Sequence, residues 1–401
     1  MKYLCLLLLG ASLSSLGSDW PAFKADAART SATDEHLSFP LKTGWIYRAP
    51  STPKPAWQEP GRSINSLDFD YAFQPILAAG MVFLGSSSND SIVALKASTG
   101  QPVWQYVCGA PVRFAPHFAN GRCYFASDDG SAYCLDAKTG SLIWRVRLGL
   151  DDRMLIANGR LASRWPCRSG VLVKDGVAYV TAGMWPSEGI FVFALDANTG
   201  KEKWCNDTSS YEYIEYPHVP SASFGGPAPQ GYLLADEESL FVPTGRGVPA
   251  AFDLKTGALK FYRADSEVSH RGGTWATVFG ETLFVTSVGW QPDAPPRLGE
   301  SPEHPADSLG AFSARTGREE WALANALKTI DPTWKQQSWR GQVRSGLLGK
   351  TRALFAPDAI YAFGNDKADA WGISGKNVTA RWSVPAGRVY AEARTPNALI
   401  L

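Results

Sequence analysis

The sequence lacks most of the features that announce a particular chemistry. Its 39 basic and 38 acidic side chains leave a net charge of +1, so no field draws it to nucleic acid or to an anionic membrane surface. The five histidines, at 36, 117, 218, 270 and 304, show no ligand spacing that would suit zinc. HExxH, CxxC, CxxCH and GxSxG are all absent, and no two cysteines are adjacent. Gly245 to Ala250 matches GxGxxA, but Pro249 and the strand-like Ala251-Phe252-Asp253 leave no helix to face a pyrophosphate. Gly349-Lys350-Thr351 resembles the tail of a phosphate-binding loop, yet Arg344 stands where that loop needs glycine. Beyond the N-terminus no apolar run is long enough to cross a membrane.

Met1-Lys2, the apolar run Leu4 to Leu9 and the small residues Ser14 to Gly17 predict a secretory signal over residues 1–18. The expected location is secreted or periplasmic, without a lipid anchor because no cysteine follows a lipobox. Cys5 leaves with the signal, and Cys108, Cys123, Cys134, Cys167 and Cys205 remain. An odd number leaves at least one thiol free. Cys123 and Cys134 flank the turn Asp128-Asp129-Gly130, where a hairpin disulfide and two separately buried thiols are both open readings.

What the chain does have is a repeated phrase. Ala94-Leu95-Lys96-Ala97-Ser98-Thr99-Gly100 leads to Trp104, and Asp136 with Thr139-Gly140 leads to Trp144. Asp196 with Thr199-Gly200 leads to Trp204, Asp253 with Gly257 to Phe261, and Ser313 with Gly317 to Trp321. A degenerate copy ends at Trp382. Before each turn lie β-branched, aromatic and aliphatic residues that favour strands. The aspartate can bond local backbone N–H groups, and the glycine supplies the positive φ of a tight turn. Four residues later an aromatic ring returns on the next strand, where it buries a large area.

Further strand pairs precede each copy, such as Met81 to Gly85 and Arg122 to Ala126. About four strands per unit, closed by an aromatic, match a blade of a β-propeller. The aromatics at 104, 144, 204, 261, 321 and 382 stand 40, 60, 57, 60 and 61 residues apart, so most units carry insertions. In a propeller such insertions become loops on one face, often the binding face. The prediction is one all-β domain over residues 19–401, a propeller of four-stranded antiparallel blades, seven or eight by design, with the closing blade incomplete. Leu41 to Tyr47 reads as a lone outer strand that helps to close the ring.

The Ala-x-Asp-x-x-Thr-Gly-x-x-x-Trp phrase resembles the tryptophan-docking motif of pyrroloquinoline quinone (PQQ) type repeats. Quinoprotein alcohol dehydrogenases and outer-membrane assembly proteins of the BamB type share that repeat. The opening Asp19-Trp20-Pro21-Ala22-Phe23 and the stretch Pro111 to Pro116 also fit bacterial envelope propellers of this kind. The resemblance implies a central funnel, in which the dehydrogenases hold the quinone with Ca²⁺ bound by carboxylate and amide oxygens. In those enzymes an aspartate acts as base and a disulfide between adjacent cysteines covers the cofactor. This chain has no adjacent cysteines and no obvious carboxylate cluster, so none of those residues is carried over.

The favoured function is therefore a non-catalytic envelope module, expected to be a monomer, that binds a small ligand or an envelope protein. The alternatives are a PQQ- and calcium-dependent oxidoreductase with a non-standard site and an assembly scaffold of the BamB type. The candidate binding residues are Arg113, Arg164, Trp165, Arg168, Trp185, His218, Gln230 and Arg246. Arginine beside tryptophan in loops suits planar anions, sugars and protein hot spots through bidentate bonds and stacking.

Overall fold

The computed structural model describes residues 18–57, 69–215, 222–245, 247–263, 273–286, 309–321, 336–339, 342–345, 352–363, 367–387, 389 and 391–401. They contain six four-stranded antiparallel sheets, each running through its strands in chain order. Blade 1 consists of Ile76–Ala78, Met81–Ser86, Ser91–Lys96 and Pro102–Val107. Blade 2 consists of His117–Ala119, Arg122–Ser127, Ser131–Asp136 and Leu142–Arg147. Blade 3 runs from Val171–Lys174 to Glu202–Asn206, and blade 4 from Leu234–Ala235 to Leu259–Arg263. Blades 5 and 6 start at Trp275–Phe279 and Arg352–Ala356 and finish at Glu319–Trp321 and Asn377–Pro385. The architecture is the expected β-propeller.

Burial explains why the strands read as they do. The second and third strands of blade 2 are buried almost throughout, because each blade packs against a neighbour on both faces. Such strands need near-continuous apolar runs instead of alternation. The fourth strand alternates toward solvent, and Trp144 is its one buried residue. Alternate residues serve different inter-blade cores. Cys123 and Phe125 face one cluster, and Tyr124 and Ala126 face the next.

The docking tryptophans of blades 1 to 3 reach across to the following blade. The indole nitrogen of Trp104 donates to the Ala137 carbonyl at 2.9 Å, that of Trp144 to Ala197 at 3.0 Å, and that of Trp204 to Leu254 at 3.1 Å. The ring lies flat over the turn glycine. A Cβ on Gly140 would stand 2.7 Å from the Trp104 ring, and one on Gly200 would stand 2.9 Å from that of Trp144. The glycine is thus required twice, for its positive φ and for the ring above it. Asp136 caps its turn by accepting bonds from the Thr139 N–H and hydroxyl, both at 2.8 Å. Asp196 and Asp253 cap theirs in the same way.

The ring closes through both ends of the described chain. Ala393–Arg394 and Leu399–Ile400 form a two-stranded hairpin, and Ala32 bridges Arg394 in parallel. Leu37 exchanges two hydrogen bonds with the Asn397 side chain. Residues 41–47 are not a strand, which corrects that expectation. Trp45 nevertheless docks as an outer-strand tryptophan would, donating to Ala97 at 2.7 Å. The docking contact survives without the ladder because it needs only the ring and the turn. A rudimentary seventh blade results.

Cys123 and Cys134 are both free. Cys123 is paired with Leu135 and Cys134 with Tyr124, one register step apart, so the two side chains leave opposite faces of the sheet. Residues 1–17, including the predicted signal core, lie outside the described residues.

Candidate functional site

The innermost strands surround an axis, and the N-terminal segment runs along it. Trp20 pairs with Leu77, Pro21 accepts from Phe118, Ala27 from Ala235 and Ala28 from Val278, before Ser31 accepts from Arg394. These partners belong to blades 1, 2, 4 and 5 and to the closing hairpin. Arg29, 3 % exposed, fixes the segment by donating to the carbonyls of Leu233 and Phe23 at 2.8 and 2.7 Å. Burial lowers its guanidinium to about 10, and Asp26 opposes that shift. Phe23 stacks on Tyr232 with ring centroids 3.6 Å apart.

The chain entering blades 1, 2 and 3 brings together a buried polar network. Arg113 donates from Nε to Asp128 Oδ2 and from Nη1 to Asp70 Oδ2, both at 2.6 Å, and from Nη1 to the Lys54 carbonyl at 2.5 Å. Arg168 Nε lies 2.9 Å from Asp128 Oδ1, but off the line of a hydrogen bond, so both atoms lack a true partner. All four side chains are at most 6 % exposed. Two guanidinium groups against two carboxylates make the cluster neutral, as a buried cluster must be to tolerate desolvation. Burial raises Asp70 above the ordinary carboxylate value, with Arg113 opposing. Burial lowers Arg168, with Asp128 opposing.

Residues 54–57 lie over this network. The Ala56 N–H donates to Asp70 Oδ2 at 2.9 Å, the Lys54 N–H to the Ser87 hydroxyl at 2.8 Å, and the Trp57 indole to Gln230 at 3.3 Å. The Tyr232 hydroxyl accepts the Ala115 N–H at 2.7 Å and ties the entrances of blades 2 and 4 together. A cavity of about 300 Å³ lies nearby, walled by Trp20, Phe23, Pro75, Trp275 and Ala353. Lys24 and Glu392, paired at 2.5 Å, supply its charge, and Gln74 lines its edge.

The sequence candidates divide. Arg113, expected to point into the funnel, and Arg168 and Gln230, expected in the insertion loops, are all buried. Arg113 bonds to Asp70 and Asp128, Arg168 lies against Asp128, and Gln230 accepts from Trp57. Trp165, 1 % exposed, is packing; its indole donates to the Glu188 carbonyl at 2.7 Å. Arg164 pairs with Glu188 and stacks on Trp165 with its guanidinium 5.5 Å from the ring centroid. Trp185 is 40 % exposed on a separate loop before the short turn Pro186–Glu188. His218 and Arg246 lie outside the described residues. Asp70, Trp57, Tyr232 and Arg29 were not singled out. No local pattern marks them, because each has a partner between 43 and 204 residues away. Asp128 was read only as a turn residue; it forms that turn and also anchors both arginines.

These residues do not build the calcium and quinone cradle that the resemblance implies. Among the described residues no three His, Cys, Asp or Glu side chains converge as metal ligands. Asp70 and Asp128 are committed to arginines, whose positive charge opposes a cation.

Comparison with known proteins agrees with the fold. Over 161 residues the chain is 29 % identical to the dehydrogenase subunit of a quinone-type alcohol dehydrogenase from Komagataeibacter europaeus, covering 37 % of this chain and 21 % of that protein. It is 24 % identical over 228 residues to quinohemoprotein alcohol dehydrogenase ADH-IIG from Pseudomonas putida, covering 50 % of this chain and 29 % of the relative. The matched stretch thus spans less than a third of these relatives. The crystal structure of a quinohemoprotein alcohol dehydrogenase from Comamonas testosteroni superposes with a TM-score of 0.57 at 15 % identity, covering 94 % of this chain and 68 % of that one. At that identity the likeness concerns the fold. The family model described as outer membrane protein assembly factor BamB matches three overlapping stretches, 49–204, 88–264 and 134–321. Together they take in well over half the sequence, and the chain belongs to this family of PQQ-type propeller repeats.

Proposed function

We propose that this propeller is a non-catalytic binding module of the bacterial envelope, secreted or periplasmic, that offers its axial funnel and insertion loops to a small ligand or an envelope protein. One observation carries this reading: Asp70 and Asp128 are neutralised by Arg113 and Arg168, and Asp70 and Arg113 are also bonded to residues 54–57. A carboxylate engaged by arginine in this way is a poor calcium ligand. The cavity of about 300 Å³ falls at the lower end of the size range of small-molecule sites. The long insertions support the same reading. Three of them join the outer strand of one blade to the inner strand of the next and carry the extra hairpins Met154–Ala157 with Arg160–Ser163, Tyr213–Glu215 with Ala222–Phe224, and Gln336–Trp339 with Gln342–Ser345.

The second reading, a PQQ-dependent oxidoreductase, is favoured by the alcohol dehydrogenases among the relatives. A thermal-shift titration with PQQ plus Ca²⁺, controlled by Ca²⁺ alone, separates the two. A ligand specific for the native state raises Tm by an amount that grows as RT ln(1 + [L]/Kd). The binding-module reading expects no rise and no ethanol-dependent dye reduction. A saturable rise together with dye reduction would replace it with the enzyme.

A further inference from the structure

We propose that Arg113 and Arg168 form a carboxylate-binding site whose resting occupant is the protein's own Asp70, and that a small organic acid binds by displacing it. The inference rests on the binding-module reading and names the ligand chemistry of its funnel.

The first argument is unsatisfied hydrogen bonding. Arg168 is 1 % exposed, yet its Nε and Nη1 have no acceptor in hydrogen-bond geometry. Buried guanidinium groups are ordinarily held by several oxygens. Only one carboxylate oxygen lies near Arg168, at 2.9 Å and misaligned. The site offers more donors than the protein fills.

The second argument is the unequal standing of the two aspartates. Asp128 belongs to the hairpin turn of blade 2 and is fixed by the blade itself. Asp70 precedes blade 1, 43 residues from Arg113, and is held through one oxygen only. Its Oδ2 accepts from Arg113 and from Ala56, and its Oδ1 finds no donor. Asp70 is therefore the removable member.

Charge then selects the ligand. Without Asp70 the cluster holds two guanidinium groups and one carboxylate, a buried charge of +1. A monoanion with two coplanar oxygens restores neutrality and matches the arginine fork. A cation would add to the excess, and a dianion would reverse it.

Space decides between joining Asp70 and replacing it. The cavity beside Asp70 and Arg113 is about 10 Å³, roughly the room for one water. A ligand must therefore take the place of the Asp70 carboxylate, which swings out to solvent as an anion. Gln74 lines both this small cavity and the apolar one of about 300 Å³, so the body of an organic acid has somewhere to go.

The test uses the full mature chain with Asp70→Ala. Its Tm is followed in sodium formate, in acetate and in sodium chloride at equal ionic strength. The expected result is a lowered Tm that formate and acetate raise saturably while chloride does not, the response disappearing when Arg168→Met is added. Asp70→Asn, which keeps the shape and removes the charge, serves if the alanine variant does not fold. In the wild type, saturating acetate is expected to speed hydrogen exchange at the Ala56 amide, whose bond to Asp70 is lost. A formate response no greater than that of chloride, or an Ala56 amide untouched by acetate, overturns the proposal. The PQQ titration of the wild type judges the binding-module reading separately, so either can fail alone.

Discussion

The indole nitrogen of Trp45 donates to the carbonyl oxygen of Ala97 at 2.7 Å across 52 residues of chain. Blades 1, 2 and 3 repeat this bond toward their successors, as Trp104 to Ala137, Trp144 to Ala197 and Trp204 to Leu254. Trp45 belongs to no strand, yet it joins the closing position to blade 1 by the same device. The ring over a turn glycine is therefore the unit that links the closing position to blade 1 and blades 1 to 5 in turn, but no ring lies over Gly375 of blade 6.

That unit makes two glycines unequal. Gly176 and Gly200 both hold positive φ, at 75° and 72°. A Cβ on Gly176 meets nothing within 4 Å, whereas one on Gly200 meets the Trp144 ring. Gly176→Ala is expected to cost about 1 kcal/mol from left-handed strain alone. Gly200→Ala is expected to cost about 1–3 kcal/mol more from overpacking. Urea denaturation of the two variants measures the difference, and equal losses would show that the ring does not require the glycine.

Trp144 is 8 % exposed, and Trp382 of the degenerate copy is 39 % exposed. Trp144→Ala should lose about 3–5 kcal/mol, the range for a large buried aromatic. Trp382→Ala should lose less than half as much. Thermal melts of both variants check the ranking.

His117 sets an acid limit. Burial, aided by Arg29, lowers its pKa from 6.5 to about 3, and its Nδ1 accepts the Val173 N–H at 3.3 Å, joining blades 2 and 3. The folded state keeps the ring neutral while the unfolded state protonates it below about 6.5. This contribution is whole above that pH and is lost as pH falls toward about 3, by up to about 1.4 kcal/mol per pH unit. His117→Asn should flatten the stability profile between those limits. Asp136, Asp196 and Asp253 are held below the ordinary carboxylate value by bonds from Thr139, Thr199 and Thr256. Their contribution is present above the unfolded carboxylate pKa and is lost below it, so it has the same sign at lower pH.

The five cysteines among the described residues are free. A chain produced from Asp19 onward should titrate, unfolded, as five thiols with a chromogenic disulfide reagent, and folded it should react slowly at Cys123, Cys134 and Cys167, which are buried. Dithiothreitol should leave Tm unchanged. A thiol count of three or fewer in the unfolded chain would demonstrate a disulfide.

The architecture was legible because a propeller repeats its instructions locally. Asp136, Thr139, Gly140 and Trp144 fall within nine consecutive residues, and the bonds by which Asp136 caps the turn are made inside the phrase. The paired strands, the hairpin at Asp128 to Gly130 and the insertions followed from the same short-range pattern. The site was only half legible. Arg113 could be suspected from its position before an inner strand, whereas Arg168 and Gln230 stood out only as members of insertions rich in arginine and aromatic residues. Trp165 misled, because an indole in an arginine-rich loop reads the same whether it faces solvent or a core.

The sequence by itself determined the class, the blade composition and the turn chemistry, since these depend on contacts a few residues long. Only the tertiary structure decided which carboxylate meets which arginine. Asp70, Arg113 and Arg168 precede blades 1, 2 and 3 and Asp128 sits in a turn of blade 2, and the packing of these successive blades brings them within bonding distance. It also decided that the N-terminal segment lies along the axis, where Arg29 reaches Leu233 across 204 residues. Burial then fixes their meaning: in a dry interior each charge must find an opposite one, and which one it finds is a matter of geometry that no local pattern encodes.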